Sequence, residues 1–375
     1  MASCSVKNND LSQKTIISGK VVNFDRNNLE VTLSVNRPGL GQESIVTQLD
    51  STGNFIDSID LYIPTDLWIQ YKTNFLVLIH PGDSINVVFD GESWQRPEIL
   101  QSIQFSGDAT STNQAAAKFQ QMYFSSSLYS DWDAKAKANK EYNIDQYVCY
   151  LDTMQQRNLE LLQNFIYEVS PNEETRVWAQ TFIGEDYYDA LSFYPDDHLR
   201  TNNLKRDEWA VPVSYFNPLL KRLPVTESML ISGYALSSFV NRYHYKYAIN
   251  NVRDEIERQK LFPDKKNMTP AIWDSLLVHG IIKYTPDTLL RQLVLAEHFS
   301  QRLQISDVSL FDKYKSIVDT HIQEPFLKKP LYESYNRVKS QIENPQIASD
   351  AILKQFEGTS VDKMREFKFQ VRQLV

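Results

Sequence analysis

Alternating apolar and polar residues mark the first third of the chain. Between Leu29 and Val35 every second residue is apolar, which predicts a half-buried β-strand. Short segments of similar character cover residues 15–22, 44–49, 55–62 and 103–105, and turn-forming residues separate them. Closely spaced short strands joined by turns predict an antiparallel β-sandwich, for which we expect the immunoglobulin-like form.

The most legible stretch is Phe75–Asp90. An apolar run, Phe75–Ile79, predicts a buried strand, and alternation from Ser84 to Asp90 predicts a second one. Between them, Pro81-Gly82-Asp83 has the residues of a type II turn, because proline presets φ and glycine supplies a positive φ. We interpret this turn as structural and expect it to close a hairpin.

The periodicity changes at Ser106-Gly107-Asp108, where strand patterns end and helical ones begin. The segment Ile144–Val169 carries one apolar stripe at helical spacing. Cap-and-proline signals of helix starts occur at Ser170-Pro171, Thr269-Pro270, Thr285-Pro286 and Asn344-Pro345, with a further box after Gly358. We therefore predict an α+β protein with a polar tether at 1–14, a β-sandwich at 15–108 and an all-helical domain at 109–375.

Several of these stretches resemble a known family. The Phe75–Asp90 stretch with its Pro-Gly-Asp-Ser turn, the opening strand Ile17–Val22, and the exit Phe105–Asp108 with Asn113 are similar to the thioredoxin-like (TlpA/ResA-type) lipoproteins of the Bacteroidetes envelope. The resemblance implies a β module followed by helices, at the periplasmic face of the inner or outer membrane. In that family a thioredoxin-like domain with a Cys-x-x-Cys pair follows, and this sequence contains no such pair.

The two cysteines, Cys4 and Cys149, are far apart in the sequence and form neither a zinc-site nor a redox spacing. Met1-Ala2-Ser3-Cys4 resembles the end of a bacterial lipobox, so Cys4 is the candidate for lipidation and the membrane is the expected partner. Cys149 lies among apolar and aromatic neighbours, and we expect it to be a small buried residue.

Composition narrows the function classes. The net charge is -8 and no basic patch occurs, which argues against nucleic-acid binding. No apolar run approaches the ~20 residues that a membrane span requires.

Candidate chemistry is sparse. Asp196-Asp197-His198 offers metal-ligand residue types, but it follows Tyr194-Pro195, so we expect a solvated loop. Glu185, Asp186 and Asp189 lie near several aromatic residues, and acidic and aromatic residues together can bind sugars or peptides. The simpler interpretation is a helix with one solvated and one buried face. We expect no cofactor and assign no catalytic or metal-binding residue.

These observations favour a non-catalytic envelope lipoprotein with a binding or scaffolding role, whose protein partner or small ligand the sequence leaves open. Two alternatives stay open. The first is a fragment of a TlpA-like disulfide reductase, which the genomic reading frame beyond Val375 would reveal. The second is a hydrolase whose site is assembled from scattered carboxylates, which paired carboxylates in a cleft would favour.

Overall fold

A computed structural model describes residues 12–260 and 268–344. Cys4, most of the predicted tether and the helix signals beyond Asn344 lie outside the described residues. The strands are β1 Gln13–Val22, β2 Glu30–Arg37, β3 Gly41–Gln48, β4 Asn54–Leu61, β5 Thr65–Gln70, β6 Asn74–Ile79, β7 Ser84–Asp90 and β8 Gln104–Gly107.

The strands form two four-stranded sheets. The first has the order β4-β1-β7-β8 and the second the order β3-β2-β5-β6. Neighbouring strands are antiparallel except β1 and β7, which run parallel. Buried apolar residues of both sheets, such as Ile17 and Val87 from the first and Leu33 and Ile69 from the second, belong to one core. The predicted α+β class, a β-sandwich followed by helices, is confirmed.

The predicted hairpin is wrong. A turn does occupy Pro81-Gly82-Asp83: Gly82 has φ +88°, and the Asp83 backbone N–H donates to the His80 carbonyl at 3.1 Å. However, β6 belongs to the second sheet and β7 to the first, so this turn carries the chain from one sheet to the other. The alternation correctly indicated two strands, but pairing partners depend on contacts that are distant in sequence, here β7 with β1 and β8.

The free edge of β6 is covered by side chains of a helix. Asn113 accepts a hydrogen bond from the Leu78 N–H at 2.7 Å and donates to the Leu78 carbonyl at 2.9 Å. Gln120 forms the same pair of bonds with Leu76, both at 2.8 Å. Two amide side chains thus replace a neighbouring strand, which satisfies backbone groups that an edge strand leaves unpaired.

Helices dominate the rest of the chain. They are α1 Arg96–Ser102, α2 Thr110–Phe124, α3 Ser127–Ser130, α4 Trp132–Glu141, α5 Ile144–Val169, α6 Glu173–Thr201, α7 Gly233–Arg242, α8 Ile249–Gln259, α9 Pro270–Tyr284, α10 Thr288–Gln304, α11 Ser309–His321 and α12 Pro325–Glu343. Two 3-10 segments, Val213–Arg222 and Glu227–Ile231, precede α7, and a π-helical turn, Tyr243–Ala248, joins α7 to α8.

The cap-and-proline signals predicted some helix starts correctly and others wrongly. Thr269 is the N-cap of α9 as predicted, and its side chain accepts from the Ile272 N–H. In contrast, Ser170 ends α5 in a left-handed conformation, and the N-cap of α6 is Asn172. Likewise the N-cap of α10 is Asp287, two residues after Thr285. Asparagine and aspartate supply the same side-chain acceptor as serine and threonine, so a nearby one displaces the predicted cap.

Helix α6 continues through Pro195, so the helix end predicted at Tyr194-Pro195 and the solvated loop after it are wrong. Proline lacks the N–H that would bond to the carbonyl four residues earlier, which is that of Leu191. The hydroxyl of Tyr215 donates to this carbonyl at 3.0 Å instead. A bond from a distant segment therefore satisfies the group that the proline leaves free, and sequence periodicity cannot reveal such a bond.

The sheets and the first helices share a core. Phe119 of α2, Phe165 of α5 and Trp178 of α6 belong to the same hydrophobic cluster as the strands, and the later helices form a second cluster. Among the described residues, no helix combines the length and apolar character needed to cross a membrane.

The second sheet is in extensive contact with the helices, mainly with α2 and α7. A cavity opens beside this contact.

Candidate ligand-binding cleft

A cavity of about 420 Å³ lies between the outer face of the second sheet and the helices. We call it the sheet–helix cleft. Its walls come from β2, β3, β5 and β6 on one side and from α1, α2, α3, α6 and α7 on the other. On β5, Leu67 and Ile69 point into the sandwich, while Trp68 and Gln70 line the cleft. The period of two along this strand therefore places one face in the core and the other on the cavity.

Asp66 fastens the sheet to the helices at this cleft. The indole N–H of Trp178 donates to one carboxylate oxygen at 3.0 Å, and the backbone N–H of Tyr234 donates to the other at 2.8 Å. Burial raises the pKa of Asp66 to about 7, although both donors oppose the shift. Tyr234 also packs edge-on against Trp68 at 5.2 Å between ring centroids, so the same junction positions two aromatic walls of the cleft.

Three carboxylates of α6 face the cleft. Glu185, Asp186 and Asp189 all line it, and Glu185 and Asp189 are one helical turn apart. Asp189 forms an ion pair with the Arg242 guanidinium, with 2.8 Å between Nε and Oδ1, and accepts from the Ser238 hydroxyl at 3.0 Å. The interpretation of these acids as the solvated face of a helix is therefore wrong for Glu185, which is only 4% exposed.

Glu185 is a buried acid whose two carboxyl oxygens are closed off from solvent, and Asp189 and the Ser238 hydroxyl lie next to it. Burial, and then the negative charge of Asp189, raise the pKa of Glu185 well above its usual range. The Arg222 guanidinium, itself buried and donating to the Thr181 carbonyl at 2.9 Å, opposes this shift. Gly184 makes room for the Arg222 guanidinium, since a Cβ at position 184 would lie 2.3 Å from Arg222 Nη1.

Asp186 is accessible to solvent at the cavity wall although protein surrounds it on most sides. The Tyr123 hydroxyl donates to its carboxylate. Burial raises the pKa of Asp186, and the bond from Tyr123 moderates the shift. Asp186 also lines a second cavity between α4, α5 and α6, so it lies on the wall between two cavities. It is the acid that a ligand in the cleft reaches most directly.

Arg96 supplies a positive charge opposite these acids. Its guanidinium lies 4.1 Å from the Phe124 ring centroid and 5.8 Å from that of Trp68, and it donates to the Asn74 side chain. Its Nε is buried and has no hydrogen-bond partner within the described part of the chain. The cleft thus combines a cation, accessible and buried carboxyl groups, amide side chains and aromatic rings.

The other residues that the sequence singled out lie elsewhere. Pro81, Gly82 and Asp83 are not part of the cleft wall. Their turn contacts the start of α6 instead, because the His80 ring bonds to Asp83 at 2.9 Å and to Glu174 at 2.7 Å. These two carboxylates raise the pKa of His80 to about 10.

Cys149 is exposed, which corrects the expectation of a buried residue. It lies on α5 between Tyr147 and Leu151, both of which are buried. Two residues along a helix turn the side chain by about 200°, so position 149 faces away from the core. The apolar neighbours in the sequence therefore indicated the burial of the helix and not of this position.

Asp196-Asp197-His198 does not form a metal site. It lies within α6, where His198 bonds to the Asn139 carbonyl at 2.9 Å and Asp197 pairs with Arg200 at 2.7 Å. In the described ranges, no group of three or more His, Cys, Asp or Glu side chains has a geometry that could hold a metal ion.

Sequence reasoning missed Arg96 and Trp68. Arg96 begins α1, a helix that was not predicted. Its signals were Pro97 in the first turn and Glu98 after it. Trp68 lies on β5, and its position on the wall of a cavity depends on the helices that pack against that strand.

Comparison of the chain with protein-family models, with curated proteins and with solved structures finds no match. The function is therefore argued from the geometry of the cleft.

Proposed function

We propose that this chain is a non-catalytic binding protein of the cell envelope, and that the sheet–helix cleft binds a small hydroxyl-bearing molecule of saccharide size. Its volume, about 420 Å³, lies in the range of roughly 300–1,000 Å³ that is usual for small-ligand sites. The observation that carries the proposal is the combination of the accessible carboxyl group of Asp186, the Arg96 guanidinium and the Trp68 ring around one cavity.

The ligand class follows from the wall. A hydroxyl group both donates and accepts hydrogen bonds. The cleft offers both functions, since Asp186 accepts while Arg96 and Gln70 carry donors. Trp68 adds an aromatic face, which suits a ligand with polar edges and an apolar face.

Ligand binding can be tested by differential scanning fluorimetry and calorimetric titration of the full chain with neutral mono- and disaccharides. We expect saturable binding that weakens about tenfold or more, about 1.4 kcal/mol, in Trp68→Ala and Asp186→Asn. Trp94→Ala is the matched control, because Trp94 is 69% exposed and lies outside the cleft. Binding that survives both cleft variants, or an equal loss in Trp94→Ala, would place the ligand elsewhere.

The envelope location rests on the sequence around Cys4 and on the family resemblance. We propose that Cys4 carries the lipid anchor. Expression with the native upstream region in the presence of a fatty-acid analogue is expected to label the protein and to direct it to the membrane fraction. Labelling and fractionation that persist in Cys4→Ala would remove this part of the proposal.

A second candidate function is hydrolysis. Glu185 and Asp189 are two carboxyl groups on one wall of the cleft, as this alternative requires, and one is buried while the other pairs with Arg242. In glycoside hydrolases, such a difference in environment keeps one carboxyl group protonated as the general acid while the other stays ionised. Release of nitrophenol from nitrophenyl glycosides, lost in Glu185→Gln and retained in the exposed-site control Glu168→Gln, would favour it. Absence of turnover across a broad panel would exclude it.

A further inference from the structure

The sheet–helix cleft crosses the full width of the second sheet. Every strand of that sheet contributes a side chain to it: Gln42 from β3, Ser34 from β2, Trp68 and Gln70 from β5, and Asn74 from β6. Neighbouring strands lie about 4.8 Å apart, so four strands span roughly 14 Å. The floor of the cleft is therefore longer than a single sugar ring.

At the β3 end, the cleft continues into a smaller cavity. This cavity has a volume of about 170 Å³, lies between the β2–β3 turn and the helices α7 and α10, and shares Gln42 with the cleft. We call it the hairpin cavity and define it by its amide side chains, those of Asn36, Gln42, Asn241, Gln301 and Gln304. An amide carries both donors and acceptors, so this lining matches the hydroxyl groups of a sugar as the cleft does.

Two of these amides are open to a ligand. Gln42 and Gln304 are both exposed to solvent. The Gln42 amide donates to the Ser44 hydroxyl at 2.9 Å, and the Gln304 amide donates to the Leu40 carbonyl at 3.3 Å. These bonds use the amide nitrogens, and the amide oxygens accept no bond from the described residues. Accessible acceptors therefore remain in the hairpin cavity.

At the opposite end, where α2 covers the edge of β6 and α3 follows, an exposed tryptophan extends the wall of the cleft. Tyr129 lines the cleft, and the Trp132 ring packs edge-on against it with 6.0 Å between ring centroids. The Lys135 ammonium lies 4.9 Å from the Trp132 centroid, but Trp132 is still 64% exposed. At least one face of the indole is therefore open to solvent. Such a face suits the apolar side of a sugar ring.

We propose that the ligand is a linear oligosaccharide of at least three sugar units. Its middle unit lies in the sheet–helix cleft, and the two neighbouring units reach the hairpin cavity and the Trp132 ring. This inference rests on the proposed binding of saccharides in the cleft and extends it to the length of the ligand. A site for a monosaccharide encloses most of the ligand surface, whereas a cleft that continues at both ends accommodates the interior of a glycan.

The test is calorimetric titration of the full chain with glucose, cellotriose and maltotriose, which vary length and linkage. We expect one of the two trisaccharides to bind about tenfold or more tighter than glucose, because contacts at both ends are added. Trp132→Ala should weaken binding of that trisaccharide about fivefold through loss of the stacking surface. Gln304→Ala should weaken it about fivefold through loss of a hydrogen bond.

Two matched controls accompany these variants. Trp94→Ala also removes an exposed tryptophan with a lysine over its ring, since Trp94 is 69% exposed and the Lys72 ammonium lies 5.7 Å from its centroid. Gln163→Ala removes an exposed glutamine on α5. Trp94 and Gln163 line neither the cleft nor the hairpin cavity, so trisaccharide affinity should not change. Thermal unfolding verifies that all four variants are folded.

Three results would overturn the proposal, and they separate it from the proposed function. Binding of glucose with no gain for either trisaccharide would leave the cleft as a monosaccharide site. A gain that persists undiminished in both Trp132→Ala and Gln304→Ala would place the additional units elsewhere. If none of the three sugars binds, the oligosaccharide proposal fails, and the saccharide panel described above decides separately whether the function of the cleft fails with it.

Discussion

Gln120 offers the sharpest test of how the helices are attached to the sandwich. Its side-chain amide accepts from the Leu76 N–H and donates to the Leu76 carbonyl, both at 2.8 Å, at the edge of β6. Gln120 is fully buried and Leu76 is 1% exposed, so water cannot replace these bonds. Replacing Gln120 with leucine keeps a side chain of similar size and removes both hydrogen-bonding functions.

The expected loss follows from two opposing contributions. Gln120→Leu leaves one buried N–H and one buried carbonyl without partners, at a cost of about 1–3 kcal/mol each. Burial of the leucine side chain returns about 2 kcal/mol. We therefore expect the free energy of unfolding to fall by about 2 kcal/mol.

Urea unfolding followed by circular dichroism measures this change. Gln114→Leu is the matched control, because it makes the same substitution at an exposed position of the same helix. We expect Gln114→Leu to change the stability by no more than about 0.5 kcal/mol. Equal stabilities of the two variants would refute the argument that amide side chains of α2 substitute for a neighbouring strand.

Three further predictions concern acid titration, thiol chemistry and domain independence. Burial raises the pKa of Glu297 to about 7 from 4.5, so folding stability should fall by about 3 kcal/mol as pH rises from 4.5 to above 7. In Glu297→Gln, the amide Oε1 can accept the same two hydrogen bonds that Glu297 Oε1 accepts. Urea unfolding of this variant at several pH values should therefore show no such fall in stability. A pH profile identical to that of the unchanged protein would contradict the assignment. In a Cys4→Ala chain, Cys149 should react with a thiol reagent as fast folded as unfolded, because it is exposed. Because the described part of the chain holds no second cysteine that could resolve a mixed disulfide with Cys149, the protein should not catalyse insulin reduction by dithiothreitol, and turnover lost in Cys149→Ser would show otherwise. A polypeptide spanning residues 109–375 should aggregate, since its helices share a core with the strands; a soluble, cooperatively folding product would show independence.

Local patterns predicted the strands and the long helix well, because burial on one face leaves a period that neighbouring residues carry. The observed β2, Glu30–Arg37, and α5, Ile144–Val169, closely match the segments that periodicity indicated. The pairing of the strands could not be predicted from such local patterns. One partner of β7 is β1, more than sixty residues away, and no feature of either strand specifies the other. The continuation of α6 through Pro195 depends equally on a distant hydroxyl, that of Tyr215.

The cleft could not be predicted for a further reason. An acid on a helix is expected at the surface, because burying a carboxyl group without a partner is costly. Glu185 departs from this expectation, because the fold buries it at the wall of a cavity beside Ser238 and Arg222, which are distant in the sequence. Departures from local rules are expected mainly at functional sites. The residue for which sequence reasoning failed most clearly therefore lies at the wall of the proposed binding site.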